Sequence, residues 1–115
     1  MFVLVWDVGD HPGEELFNLN IFECIAVDEK DGTACISFYE STFDEPKLIW
    51  KPWPFMEPVG GSDKQPITKE DIYVIVKEVY DQFICSIGKG EPLFDFEVAE
   101  WNVKQFLPEY RKRHL

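Results

Sequence analysis

Residues 1–29 contain no lysine or arginine, yet they carry Asp7, Asp10, Glu14, Glu15, Glu23, Asp28 and Glu29. An unbalanced run of that length acts as a field rather than as a set of paired charges, unless folding brings cations across it. The whole chain keeps the imbalance, with 22 acidic and 11 basic residues and a net charge of −11. Long-range repulsion of that sign counts against direct binding of nucleic acid or of an anionic membrane, and favours a basic partner. Cysteine is scarce and unpatterned. Cys24, Cys35 and Cys85 form no CxxC or metal-ligand spacing, and an odd number points to free thiols in a reducing cytoplasm. No apolar run reaches the length of a membrane span. The apolar residues 1–6 lack the basic region of a secretion signal and read as a first strand. Phosphate-binding glycine loops, GxSxG and HExxH are missing too, so no cofactor is expected. Of the two histidines, His114 stands one residue from the end and is expected to fray.

The residues that are present suffice for one domain. At 115 residues, with 45% apolar and 16% aromatic side chains, the chain can build a single core and is not disordered. The pattern predicts one α+β domain: a mainly antiparallel sheet of about four to five strands, one long helix over 68–88 and a short C-terminal helix.

The helix is the clearest element. Ile72, Ile75, Val76, Val79, Tyr80, Phe83, Ile84 and Ile87 recur at the spacing of one buried stripe. Thr68 with Asp71 resembles a capping box, and Gly88 is the expected left-handed terminator. Lys69, Lys77, Glu78, Asp81 and Gln82 are left for an ordinary solvated face.

Strands are expected at 2–8, which is apolar on both faces and hence central, at about 16–28, at 33–40 and at 47–51. Glu29-Lys30-Asp31-Gly32 fits a type I turn with a bulge, a register that pairs Val27 with Cys35, Ala26 with Ile36 and Cys24 with Phe38. Phe22, Cys24, Ala26, Ile36 and Phe38 would then face the helix. Cys24 and Cys35 would lie on opposite faces. Residues 52–66, with four prolines and two glycines, read as a long loop without secondary structure. A strand at 93–99 is expected to lead to a helix from Asn102 that Pro108 kinks or stops.

Two stretches carry functional chemistry. In 49–56, Trp50, Trp53, Phe55 and Met56 are spaced by prolines that hold the chain extended, the make-up of an interface anchor or of a loop capping the core. The two uses are compatible, with one Trp inside and the other outside. The second stretch is the acidic loop of Asp7, Asp10, His11, Glu14 and Glu15. The expected function is a small acidic inhibitor that occludes a basic partner enzyme, a nuclease toxin or another nucleic-acid-handling enzyme. An immunity protein against a nuclease-type toxin comes first, and a phage-encoded anti-defence inhibitor mimicking nucleic acid second. Asp10, Glu14, Glu15, Asp44 and Glu45 are the expected charge contacts, with Trp50, Trp53 and Phe55 as anchors. The rivals are a metal-dependent enzyme using the Asp7–Glu15 cluster, a thiol-dependent enzyme, and an oligomerisation subunit using the second hairpin face of Glu23, Ile25, Val27, Cys35, Ser37 and Tyr39.

Overall fold

Phe96 explains why the elements meet where they do. Its ring has centroid distances of 4.9 Å to Phe94, 5.2 Å to Phe83, 5.3 Å to Trp50 and 5.7 Å to Phe38, joining four parts of the chain in one aromatic cluster. Tilted and edge-on rings at such separations bury large areas with favourable ring electrostatics. The computed structural model describes residues 1–7, 13–41, 44–56 and 65–115, except for the Asp7 side chain. Those residues form one α+β domain.

Two small sheets replace the expected single one. In the first, β1 (Phe2–Asp7) lies between antiparallel β2 (Gly13–Asn18) and parallel β8 (Leu93–Asp95). The second has the order β3-β4-β5, from Cys24–Lys30, Thr33–Tyr39 and Leu48–Trp50. A two-residue ladder joins β6 (Phe55–Met56) to β7 (Gln65–Pro66), where no regular structure was expected. The predicted strand over 16–28 is broken by a 3-10 turn at Leu19–Ile21, capped by the Asn18 side chain on the Asn20 amide. Asn and Asp side chains compete with ladder bonds in this way.

The β3–β4 register is one residue away from the expected one. Asp31 and Gly32 both have positive φ, 54° and 80°, which makes a two-residue hairpin turn that an Asp-Gly pair favours. Val27 therefore pairs with Ile36, and Ile25 with Phe38. Because side chains alternate, the slip turns Ile25 and Val27 to the core and Cys24 and Ala26 away from it. Cys24 and Cys35 share a face after all, but Cys24 pairs with Tyr39, four residues beyond Cys35, and both thiols are free. The expected second hairpin face of Glu23, Ile25, Val27, Cys35, Ser37 and Tyr39 does not form, because Ile25 and Val27 lie on the opposite face from Cys35, Ser37 and Tyr39.

Helix α1 (Lys69–Gly88) begins where expected, with the Thr68 hydroxyl accepting the Asp71 amide at 3.1 Å. Its end differs. Gly90, not Gly88, takes the left-handed conformation (φ 70°), and bonds from Gly90 to Ile87 and from Glu91 to Ser86 close a Schellman motif. Ile84 and Ile87 are exposed, while Val74, Glu78 and Ser86 are buried. The reason is a second covering element. The tail forms α2 (Phe96–Gln105) and α3 (Leu107–His114), and α3 packs along the Asp71, Val74, Glu78 side of α1. Asp95 ends the expected strand early by accepting the Glu97 and Val98 amides, and Pro108 sits in the first turn of α3, starting that helix rather than stopping one. No helix of the described residues is long and apolar enough to cross a membrane.

Candidate functional site

All four tryptophans line one groove. Trp6 comes from the end of β1, Trp50 from β5, Trp53 from the segment after it and Trp101 from α2, around a space of about 920 Å³. Trp50 is 1% exposed and forms the floor against Phe96, whereas Trp6 (46%), Trp53 (52%) and Trp101 (57%) stand open to solvent. The pair Trp50 and Trp53 is thus divided, one in the core and one outside. Phe55 is half-buried, with its ring 5.6 Å from that of Trp53. Trp6 and Trp101 were missed as partners because their meeting depends on β1 reaching α2 through the fold, which no local spacing encodes. Trp6 also ends the outer face of the first sheet, where Phe2, Leu16 and Leu93 are exposed and Leu4 half-buried, with Glu14, Asn18 and Asp95 at its margins.

The groove wall is held by Lys104. Its ammonium, almost fully buried, donates to the carbonyls of Trp53 (2.9 Å) and Phe55 (3.1 Å) and to Glu100 Oε2 (2.7 Å), using all three donors. Glu100 in turn accepts the Trp53 amide at 3.0 Å. This fastens the proline-rich segment onto α2. The i, i+4 order of Glu100 and Lys104 was a readable helix signal, though its backbone targets were not. The second cation of the groove, Lys51, is also engaged, donating to the Lys30 carbonyl at 2.9 Å and lying 3.9 Å from Asp31.

The acids at the mouth are in a different state. Glu97 lines the groove, and beside it lies Glu14, whose residue pairs with Trp6 across β1 and β2. Partial desolvation first, then the charge of and hydrogen bonding with Glu14, then Asp95 and Glu100, raise the Glu97 carboxyl above the ordinary glutamate range. Among the described residues, no lysine, arginine or histidine forms an ion pair with Glu14, Glu15 or Glu97.

The other expected charge contacts are dispersed. Glu15 is exposed on the neighbouring β2 position; Asp44 and Glu45 are exposed at the far end of β5 from Trp53 and do not line the groove. Asp10, with His11, lies outside the described residues. Among the described residues, the basic residues near the C-terminus form no ion pair with Glu14 or Glu15. Arg111 pairs with both carboxylate oxygens of Asp71 at 2.7 Å, holding that carboxyl below its usual range.

His114 is not frayed. Its side chain is 9% exposed, with Nε2 2.7 Å from Glu78 Oε2 and 3.9 Å from Asp81, while Arg113 approaches Glu78 Oε1 at 3.4 Å. Glu78, Asp81 and His114 put ligand atoms within 4.8 Å of one another, but Glu78 already accepts from His114, Arg113 and Gln82. The arrangement works as a clasp between α1 and α3. Of the thiols, Cys35 is buried, and desolvation pushes its pKa up, away from a reactive thiolate.

Comparison with protein-family models, with curated proteins and with solved structures finds no match to this chain.

Proposed function

We propose that the protein is an acidic binding module that docks a basic protein on the tryptophan groove and inhibits it by occlusion. The observation that carries this reading is the convergence of all four tryptophans on one groove, beside which Glu97 and Glu14 form no ion pair among the described residues. Exposed tryptophans contribute large contact area at small entropic cost, and recur among residues that dominate binding energy. Uncompensated carboxylates attract a basic partner over distance and suppress acidic competitors. The apolar strip Phe2, Leu4, Leu16 and Leu93 continues from Trp6 and extends the area available to a partner beyond the groove itself. Within this class, neutralisation of a nuclease-type toxin is the leading reading, since a basic active-site cleft built for phosphates matches the charge of this surface.

The test is protection. Co-expression with a basic toxin or nuclease encoded beside the gene should relieve its toxicity, and the purified pair should lose nuclease activity. Trp53→Ala combined with Trp101→Ala should abolish both effects while the fold persists. Protection that survives the double substitution contradicts docking at the groove.

The same sheet face favours a second reading, self-association through Phe2, Leu4, Leu16 and Leu93. Sedimentation decides it: a monomer at micromolar concentration removes the reading.

A further inference from the structure

Resting on the reading that this groove docks a basic protein, we propose that the groove is a guanidinium site: it takes an arginine side chain of the partner between the exposed tryptophans, with Glu97 and Glu14 as counter-ion. The charges on its wall lead to that occupant. Lys104 spends all three donors on the Trp53 and Phe55 carbonyls and on Glu100, and Lys51 donates to the Lys30 carbonyl beside Asp31, so among the described lining residues neither cation lacks a partner of its own. Glu100 is likewise spent on Lys104 and the Trp53 amide. Among the described residues, Glu97 and its neighbour Glu14 form no ion pair. A cation arriving there relieves the repulsion between two adjacent carboxyls as well as forming a pair of its own.

Guanidinium suits the walls better than ammonium does. It is planar, weakly hydrated and able to stack on an indole face while donating two parallel hydrogen bonds to carboxylates. Trp6, Trp53 and Trp101 offer indole surface on β1, on the proline-held segment and on α2, three separate supports around one space. Glu97 supplies the charge from the same helix as Trp101, four residues earlier and hence on the same side of the helix.

The raised Glu97 carboxyl makes the site pH-sensitive. Binding a cation requires its ionised form, so uptake at mildly acidic pH releases a proton, and affinity grows as pH rises through the Glu97 range.

The experiment is a titration of the full chain, followed by the four indole N–H signals in proton–nitrogen NMR spectra. The probe is the capped tripeptide acetyl-Gly-Arg-Gly-amide, compared with its citrulline and lysine counterparts. The arginine peptide is expected to shift the Trp6, Trp53 and Trp101 signals saturably. The citrulline peptide, of nearly the same shape without charge, should leave them in place, and the lysine peptide should bind at least about threefold more weakly. Glu97→Gln and Trp101→Ala alter exposed side chains, so their backbone spectra should stay native. Each should weaken arginine binding by about fivefold, and Glu97→Gln should remove its pH dependence. No saturable shift, equal citrulline or lysine binding, or indifference to Glu97→Gln would overturn the proposal. If the arginine peptide does not bind but protection against a basic enzyme still depends on Trp53 and Trp101, the guanidinium site fails and the docking reading stands. If the peptide binds while protection ignores those residues, the docking reading fails and the site stands.

Discussion

Two acidic clusters in this molecule differ in what faces them. Along the seam between α1 and α3, Asp71 meets Arg111, and Glu78 meets Arg113 and His114. At the mouth of the tryptophan groove, Glu97 meets Glu14, with Asp95 and Glu100 adding to the repulsion. The first cluster is satisfied from within and fastens one helix to another. The second raises the energy of its own carboxyls, and among the described residues no cation offsets it. Net charge alone hides this distinction, because Arg111 and Arg113 are engaged on the seam and Lys104 and Lys51 on carbonyls, Glu100 and Asp31 rather than at Glu14 and Glu97.

The largest expected effect breaks both regions together. Phe96 packs against Phe83 of α1 and against Trp50 at the groove floor, and is fully buried. Phe96→Ala should cost about 3–5 kcal/mol in urea unfolding, a large part of the roughly 5–15 kcal/mol that such a domain has. Lys104→Met should be next, costing about 2–3 kcal/mol, because the Trp53 and Phe55 carbonyls and Glu100 lose their donor at a buried position. It should also raise the solvent accessibility of Trp53, read by acrylamide quenching. Glu78→Ala strikes only the seam and should cost about 2 kcal/mol, with α3 amides exchanging faster in hydrogen-exchange measurements.

The pH responses of the two clusters should run in opposite directions. Asp71 has a lowered folded pKa, so its contribution is present above the ordinary aspartate range and is lost as pH falls through the folded value. Arg111→Gln should therefore flatten the acid limb of a melting-temperature profile. Glu97 has a raised folded pKa, so the folded state holds its proton more tightly and becomes less stable as pH rises through that value. Glu97→Gln should raise the melting temperature slightly at pH 7, with a gain within about 0.5 kcal/mol, and leave it unchanged at pH 3. A loss of stability at pH 7 would mean that a cation already serves Glu97.

How much of this was legible in the sequence follows from the range of each interaction. Thr68 and the main stripe of α1 could be read, because capping and 3.6-residue periodicity are local. The hairpin was located, but its register was not. The choice between a two-residue turn and a bulged one rests on φ at Asp31, and one residue of slip exchanges the two faces of β3. Glu78 looked like surface because nothing near it in the chain announced that α3 would return to cover it. The Trp-Pro segment was recognisable as an interface anchor or a core cap, but not which of Trp50 and Trp53 faces outward. Trp6 and Trp101 were not, since their place beside it is set by contacts among β1, β5 and α2. Glu14 was expected as a contact for its charge, but its pairing with Glu97 depends on β2 lying beside β1 in register.

The contrast between the clusters is tested most directly by following the side-chain carboxyl carbons of Glu97 and Asp71 by NMR through a pH titration, in the native chain and in Glu14→Gln. Glu97 should titrate above the ordinary glutamate range and move back toward it in Glu14→Gln, while Asp71 titrates below the ordinary aspartate range in both. Ordinary values for both groups, or a Glu97 titration indifferent to Glu14, would contradict the account.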